Sequence, residues 1–348
     1  MVAPTTSVAT TRVLSTGQSL SQLLAPIVTE LAQVEHLLAE QVRSFDAGVG
    51  QYVQYVLGGA GKRLRPSLAL LAGGATGRVD QPHITLGVIV ELIHVATLVH
   101  DDVIDEAELR HALPTSNSQW GNEVSVLLGD CLFAHALQLA ASYPTTEVCR
   151  RISEATNTVC SGEIIQNQQR FDPEVTLEQY LNVISMKTGA LFAVSCELGA
   201  ALNGQSPQVV KSLREYGENL GIAYQVYDDC VDIFGHERAF GKSLGTDVKK
   251  GKLTLPHLLL LHATQERRRA EVSSMIFGRR PDDLMQVRAL MDDAGVAPES
   301  RAMIGRYIDK ARASLTDLKP SVFAEALASL LTYLDAQSRS VLSREPVV

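Results

Sequence analysis

Two short acidic clusters have residue types and spacing that could do chemistry. Each has two adjacent aspartates and a third one three positions further on: Asp101, Asp102 and Asp105 in LVHDDVIDEAELR, and Asp228, Asp229 and Asp232 in AYQVYDDCVDIFG. On a helix, the first and last aspartate of each cluster share a face. A solvated helix end would explain one such cluster. Both, however, follow apolar segments, and buried carboxylates are too costly to keep without partners.

Divalent metal ions are the partners that such clusters favour. Mg²⁺ prefers oxygen ligands and is typically held by one or two carboxylates together with substrate phosphates. Two facing clusters therefore predict a site for a polyphosphate bridged by several ions. Basic residues beside glycine-containing loops could share the phosphate charge; they are Lys62, Arg63, Arg65, Arg110, Lys187, Lys242, Lys249, Lys250 and Lys252. Each alone could be a solvated surface charge, and their joint placement is what favours a site.

Composition excludes some classes of function. The chain has 348 residues, 45% of them hydrophobic and 5% aromatic, and a formal net charge of -8. This charge argues against a general nucleic-acid binder, which needs a basic face. The five cysteines form no CxxC pair, so we expect buried, reduced thiols and a cytoplasmic location.

The apolar pattern predicts an all-helical protein. No uninterrupted apolar run reaches the roughly 18 to 20 residues that a transmembrane helix needs, so we expect no transmembrane segment. Residues 1–17 are rich in Ser and Thr and are expected to be a flexible tail rather than a transit peptide. Apolar residues at three- and four-residue spacing predict helices at about 18–45, 85–100, 121–142, 147–169, 177–201, 208–235, 253–272, 281–293, 298–317 and 320–342. Strands are not expected, and residues 18–348 should form a single helical domain.

Six motifs in order resemble the trans-polyprenyl diphosphate synthases, which are head-to-tail prenyltransferases. The motifs are GGAGKRLRP, LVHDDVIDEAELR, GEIIQNQ, MKTGALF, AYQVYDDCVDIFG and GKSLGTDVKKGKLTLP. The resemblance implies the all-α isoprenoid synthase fold, a single large helical bundle around a deep central cavity. It also implies a homodimer and the condensation of an allylic diphosphate with isopentenyl diphosphate.

The resemblance assigns a role to each matching residue. Three Mg²⁺ ions per active site would be held by Asp101, Asp102, Asp105, Asp228, Asp229 and Asp232. The allylic diphosphate would contact Arg110, Lys187, Lys242 and Lys252. Isopentenyl diphosphate would contact Lys62, Arg65 and His94, although a lone histidine on an apolar helix is otherwise more typical of a core residue. Thr188 and Gln225 could steady the allylic cation.

One position departs from the family pattern. Where the family usually has two arginines, this chain has Arg110 followed by His111. The second arginine normally helps to bind isopentenyl diphosphate, and a neutral histidine lacks the permanent charge and two-pronged geometry of guanidinium. We expect weaker affinity for isopentenyl diphosphate, or help from another basic group.

The residues before Asp101 favour a medium-to-long product of the quinone side-chain type. Ala96 and Thr97 stand five and four positions before Asp101, with Ile93 further back, and small residues there accompany longer products in the family. Geranylgeranyl or farnesyl diphosphate remains an alternative, because Leu132 or Phe133 could close the tunnel. A non-catalytic subunit of a heteromeric synthase and a terpene cyclase are the rival functions.

Overall fold

The structure is a computed structural model that describes residues 19–59, 61–110, 113–235, 245–278 and 281–343. In the described residues the α-helices are α1 (Leu20–Leu23), α2 (Val28–Gln41), α3 (Ala47–Leu57), α4 (Leu64–Thr76), α5 (Gln81–Ile104), α6 (Ser116–Ala141), α7 (Glu147–Gln168), α8 (Leu177–Ile184), α9 (Ala190–Ala201), α10 (Pro207–Phe234), α11 (Thr246–Lys249), α12 (Leu255–Ala263), α13 (Glu266–Ile276), α14 (Pro281–Asp293), α15 (Val296–Ala313) and α16 (Val322–Leu342). A π-helix at Ser185–Gly189 joins α8 to α9, and 3₁₀ turns lie at Ala25–Ile27 and Val42–Ser44. The predicted tail, residues 1–17, lies outside the described residues.

The all-helical prediction is confirmed, with local corrections. The helix expected at 18–45 is interrupted, because Pro26 lies in a 3₁₀ turn and lacks the N–H that a helix interior needs. The helix expected at 253–272 is two helices, since Thr264 between them is extended. Two-residue strands β1 (Leu109–Arg110) and β2 (Leu113–Pro114) pair in antiparallel fashion, so the expectation of no strands was wrong.

Helix α5 crosses the interior and carries the first acidic cluster at its end. A capping box between Asp80 and His83 begins the helix, with Pro82 in its first turn. The residues Leu86 to Ile93 are all buried, as expected for a helix that is apolar nearly all round. Helices α2, α4, α6 and α9 all pack against it. A rigid, enclosed helix therefore fixes the position of Asp101, Asp102 and Asp105.

The second cluster is positioned by close packing between α4, α9 and α10. Gly199 of α9 lies so close to α4 that a Cβ atom there would come within 2.4 Å of the Ala69 carbonyl oxygen. Gly217 of α10 approaches the backbone of Phe192 equally closely. These contacts hold α10, and with it Asp228, Asp229 and Asp232, against the helices that surround α5.

Three described stretches are long and apolar enough to cross a membrane by length and composition alone: α5, α6 and Leu177–Ala201. Polar residues interrupt their apolar runs, and the absence of a transmembrane segment stays a prediction. The most apolar 18 residues of α5 and of Leu177–Ala201 are 72% and 78% buried inside the protein, which accounts for their composition. Only 39% of the corresponding part of α6 is buried. Helix α6 therefore exposes apolar surface.

The cysteines differ in part from the expectation of buried thiols. Cys196 and Cys230 are buried, while Cys131 and Cys160 are exposed, and all five cysteines are free. The two exposed residues lie on α6 and α7.

Candidate active site

Each aspartate of the first cluster is held by basic side chains. Arg110 on β1 donates from Nε and Nη2 to the Asp102 carboxylate at 2.8–3.1 Å, and Asp102 is only 5% exposed. Asp105 accepts hydrogen bonds from Lys250 and Lys252 at 3.1 and 2.9 Å, and from Arg170. Burial would raise the pKa of Asp105, but the Lys252 and Lys250 ammonium groups bring it below its ordinary value.

Asp101, the first aspartate of this cluster, interacts electrostatically with Lys187. Burial raises the pKa of Asp101 to about 6, although Lys187 acts in the opposite direction. Burial would lower the pKa of Lys187, but Asp101 and Glu163 raise it above its ordinary value, so the ammonium stays charged. Lys187 also donates to the Gln166 side chain at 2.7 Å and pairs with Glu163.

Lys187 and Thr188 project from the π-helix, a distortion that is frequent at functional sites. The Thr188 hydroxyl donates to Gln225 Oε1 at 2.8 Å, and Gln225 Nε2 donates to Asp229 Oδ1 at 2.8 Å. This chain of hydrogen bonds links the MKTG motif to the second acidic cluster on α10.

In the second cluster, Asp229 and Asp232 accept hydrogen bonds from other parts of the protein. Tyr180 donates to Asp229 Oδ2 at 2.6 Å, and burial, with the Asp247 carboxylate, raises the pKa of Asp229 well above its usual value. Asp232 accepts from the backbone N–H groups of Thr246 and Asp247, each at 3.3 Å. It therefore anchors α11 and the lysine-bearing segment that follows. Asp228 is the half-buried member of the cluster.

The residues expected to bind isopentenyl diphosphate form a second basic region. Arg65 lies over the Phe192 ring at 5.0 Å, and its buried Nε has no hydrogen-bond partner within the described structure. Burial lowers the pKa of Arg65 to about 10, so it remains charged at neutral pH. Burial, together with Arg65 and Arg110, lowers the pKa of His94 well below its ordinary value, so His94 is neutral. Lys62 lies over the Tyr224 ring at 5.9 Å.

Arg63, which lies between Lys62 and Leu64, has a different environment. Its guanidinium donates to Glu35 and Glu91 at 2.6 Å and to the Leu57 carbonyl at 3.2 Å. Its backbone is left-handed, with φ 48°. Arg63 therefore makes its contacts within the protein. Lys62 and Arg65 are the basic residues of GKRLRP that could contact a ligand.

A cavity of about 80 Å³ lies beside the second cluster. Its lining residues are Gln166, Ile184, Lys187, Gln225, Asp229, Asp247, Lys252 and Thr254. Because Lys252 also contacts Asp105 and Lys187 also interacts with Asp101, this cavity lies between the two acidic clusters. Five further residues at the site were not predicted from the sequence: Glu163, Gln166, Arg170, Tyr180 and Asp247. Glu163 and Gln166 lie within a quoted motif, whereas no pattern pointed to Arg170. His111 and Lys242 lie outside the described residues.

The residues expected to influence chain length lie on α5, upstream of Asp101. Ala96 and Ile93 are completely or almost completely buried, with exposures of 0% and 1%. Thr97 is half-buried and its hydroxyl donates to the His94 carbonyl at 2.7 Å.

The carboxylates suit Mg²⁺ shared with a diphosphate better than an enclosed metal cage. Among the described residues, no three carboxylate, imidazole or thiolate side chains converge to hold a metal ion by themselves. Mg²⁺ usually keeps waters and takes only one or two carboxylates beside substrate phosphates. The donor set therefore fits a metal ion that arrives with the substrate.

An all-helical bundle that brings two aspartate clusters and several cations to one cavity defines an isoprenoid-synthase type of enzyme. The family model described as polyprenyl synthetase matches residues 47–294, and the chain belongs to this family of prenyl transferases. It is 35% identical over 302 residues to octaprenyl diphosphate synthase of Escherichia coli strain K12, covering 86% of this chain and 94% of that protein.

Two solved structures have the same fold. The structure of a decaprenyl diphosphate synthase from Rhodobacter capsulatus has a TM-score of 0.86 and 32% identity, covering 92% of this chain and all of that one. A polyprenyl synthase from Caulobacter crescentus CB15, in complex with calcium and isoprenyl diphosphate, also has a TM-score of 0.86, with 31% identity over 94% of this chain and 99% of that one.

Proposed function

We propose that this enzyme repeatedly condenses an allylic diphosphate with isopentenyl diphosphate, head-to-tail, to give a medium-to-long trans-polyprenyl diphosphate. The observation that carries the proposal is the presence of two separate cation sets. One set, with Lys187 and Lys252, lies between the acidic clusters, and the other contains Arg65 with its unpartnered buried Nε. Two diphosphate substrates need two such sets, whereas a cyclase that ionises a single diphosphate needs one.

In the first step, the bond between the allylic carbon and the diphosphate breaks, and the negative charge on the departing diphosphate must be stabilised. Mg²⁺ ions, three per active site in this proposal, would be held by the aspartates of both clusters and would neutralise negative charge on the departing group. Arg110, Lys187 and Lys252 donate to its oxygens as charge develops, which lowers the barrier by electrostatic stabilisation. Lys242 has the same proposed role.

The allylic cation must then be protected until isopentenyl diphosphate attacks. Thr188 and Gln225, bonded to each other at 2.8 Å, present their dipoles at the cavity and steady the cation. Lys62, Arg65 and His94 orient isopentenyl diphosphate, with His94 acting as a neutral hydrogen-bonding group. His111 is proposed to assist them. Exclusion of water by the packed helices prevents capture of the cation. The isopentenyl double bond forms the new carbon–carbon bond, and the resulting cation loses a proton to the released diphosphate, which restores a double bond.

The product is proposed to be longer than geranylgeranyl diphosphate. Ala96 provides no bulk on α5 at the position where a large side chain would stop the growing tail. The relatives named as octaprenyl and decaprenyl diphosphate synthases support a product of similar length. Farnesyl or geranylgeranyl diphosphate remains the alternative product.

We further propose a cytoplasmic homodimer, with no nucleic-acid partner, that associates through α6. Leu127 and Val126 on this helix are 64% and 42% exposed, and Ile164 on α7 is 59% exposed. Exposed apolar side chains on a helix with this much uncovered surface are typical of an association surface.

The decisive experiment is an assay of the purified chain with labelled isopentenyl diphosphate and Mg²⁺. Dimethylallyl, geranyl, farnesyl and geranylgeranyl diphosphates are offered as separate primers, and chain lengths are read by chromatography after removal of the diphosphate. We expect elongation beyond geranylgeranyl diphosphate, abolished by chelation of the metal and by Asp101→Asn.

The other outcomes each identify an alternative. Products that stop at farnesyl or geranylgeranyl diphosphate would contradict the proposed length but not the reaction. No turnover alone, with activity restored by a homologous subunit, would indicate a regulatory subunit. A cyclised product formed without isopentenyl diphosphate would indicate a terpene cyclase.

A further inference from the structure

Three positively charged side chains contact the third aspartate of the first cluster. Asp105 accepts hydrogen bonds from Lys250 at 3.1 Å, from Lys252 at 2.9 Å and from Arg170. Its side chain is only 14% exposed, so solvent screens these charges weakly. One carboxylate cannot neutralise three cations, and the excess charge lies where an anionic ligand would bind.

The Arg170 side chain contacts a backbone carbonyl oxygen as well as Asp105. It follows the end of α7, and its Nη1 lies 3.5 Å from the carbonyl oxygen of Ile104, in the last turn of α5. The next residue, Phe171, donates from its backbone N–H to the Gly251 carbonyl at 2.8 Å. Both the end of α5 and the lysine-bearing segment are therefore joined to Arg170 and its neighbour.

The backbone at Phe171 has a conformation that needs support from its surroundings. Its φ is 60°, a left-handed value that is uncommon for a bulky residue and costs energy. The Phe171 ring packs so closely on Gly251 that a Cβ atom there would lie 2.5 Å from the ring, and it also contacts Phe277 at a centroid distance of 5.7 Å. These contacts support the left-handed backbone of the residue that follows Arg170.

We infer that Arg170 is a positioning residue that holds Asp105 in its metal-binding orientation. The inference rests on the proposed function. Lysine is a flexible point charge, so Lys250 and Lys252 can turn from Asp105 to the diphosphate, whereas the planar guanidinium of Arg170 stays between Asp105 and Ile104. Carboxylates that bind metal ions are themselves oriented by such hydrogen-bonding partners, and loss of a partner typically weakens metal binding by about 10- to 100-fold.

The test compares Arg170→Gln and Arg170→Lys with the wild-type enzyme. Mg²⁺ binding is titrated by calorimetry in the presence of inorganic pyrophosphate, and the Mg²⁺ dependence and both KM values are measured in the condensation assay. Arg170→Gln is expected to weaken metal binding by about 10- to 100-fold and Arg170→Lys by less, with the KM for isopentenyl diphosphate unchanged. Arg150→Gln is the control, because Arg150 lies on α7, the helix that precedes Arg170, and forms surface pairs with Glu147 and Glu154.

A double-variant experiment separates positioning from general damage. If Arg170 acts through Asp105, adding Arg170→Gln to Asp105→Asn should change metal affinity by less than about twofold, because the two effects are not independent. Fully additive effects, wild-type metal affinity in Arg170→Gln, or equal loss of isopentenyl diphosphate affinity would each overturn the inference. If wild type itself gives no condensation product, the proposed function fails. If wild type is active and Arg170→Gln matches it, only this inference fails.

Discussion

At the scale of single residues, Arg65 provides a sharp test of the second diphosphate site. Its guanidinium is charged, yet its buried Nε has no partner in the described structure, and a buried donor without an acceptor is unfavourable unless a ligand supplies one. Arg65→Gln should raise the KM for isopentenyl diphosphate by about 10- to 100-fold, the value of a hydrogen bond to a charged group. Steady-state kinetics with both substrates measures this.

The control for Arg65 is Arg78→Gln. The Arg78 side chain is 85% exposed and pairs with Asp80 at 3.4 Å, so its loss should leave both KM values unchanged. An equal rise in the KM for the allylic substrate in Arg65→Gln would mean that Arg65 serves both sites, contrary to the assignment.

Ala96 tests the proposed chain-length position. It is completely buried on α5, and a phenylalanine there would occupy the space that the growing tail should use. Ala96→Phe is expected to shorten the product by at least one isoprene unit, and Ala96→Val by less, while the first condensation continues. Product lengths, with the melting temperature as a check on folding, measure the effect. An unchanged length distribution in a folded, active Ala96→Phe enzyme would place the limit elsewhere.

How much of the site the sequence predicts can be understood from particular residues. The aspartate clusters are recognisable because their spacing reflects helix geometry. Arg110 was predicted to contact the allylic diphosphate, whereas the structure pairs it with Asp102. Arg170, by contrast, lies in an irregular turn next to the positive φ of Phe171, and no periodic pattern encodes such a turn. The separate role of Arg63 likewise depends on Glu35 and Glu91, which lie on other helices.

At the scale of helices and turns, the position of proline explains two differences between the predicted and the observed helices. Helix α4 is absent from the helices predicted from the sequence, because glycine and proline surround its start. Pro66 is tolerated there since the first helical turn has no N–H bond to lose. Conversely, Pro26 breaks the helix that was expected from apolar spacing alone. The long helices α5, α7 and α10 were predicted well because their apolar residues recur over many turns.

Glycine replacements should reveal how tightly α4 and α9 are packed. A Cβ atom at Gly199 would lie 2.4 Å from the Ala69 carbonyl oxygen, whereas a Cβ atom at Gly305 on α15 would have no neighbour within 4 Å. Gly199→Ala is therefore expected to destabilise the protein by about 1–3 kcal/mol through overpacking. Gly305→Ala should instead stabilise it by about 0.5–1 kcal/mol, because alanine favours the helix.

Urea unfolding of the two glycine variants measures both changes. Equal free energies of unfolding for Gly199→Ala and wild type would mean that α4 and α9 can separate at little cost.

The capping box at the start of α12 should make stability depend on pH. His257 Nδ1 accepts from the Thr254 N–H at 3.4 Å, and burial lowers the pKa of His257 to about 4. In the unfolded chain the histidine takes up a proton near pH ~6.5. Stability contributed by the neutral ring is thus complete above that pH and is lost as pH falls toward 4, by up to about 1.4 kcal/mol per pH unit.

His257→Gln removes the titration and keeps a residue type that suits the third position of a capping box. Between pH 7 and pH 5, wild type should lose about 2 kcal/mol more unfolding free energy than His257→Gln. Other buried groups such as His94 titrate in both proteins, so the difference between the two profiles isolates His257. Parallel profiles would contradict the expectation.

At the scale of the whole molecule, the helices that carry the site are buried, whereas α6 exposes apolar side chains. Helices α5, α9 and α10 are covered by their neighbours, which allows Asp101 to Asp105 and Asp228 to Asp232 to be held rigidly around a cavity. That residues 18–348 form one domain remains a prediction. Helix α6 is as apolar as a core helix but mostly uncovered, and a stable monomer rarely exposes such a surface.

A dimer through α6 explains this uncovered surface, and Leu127 tests it. The Leu127 side chain is 64% exposed, and an aspartate in the centre of a dimer contact would bury an unpaired charge on both sides. Leu127→Asp is expected to convert the dimer to monomer in sedimentation velocity measurements. Met285→Asp is the control, because Met285 on α14 is an equally prominent apolar residue, 74% exposed, on another helix. A wild type that sediments as a monomer, or a Leu127→Asp protein that remains dimeric, would contradict association through α6.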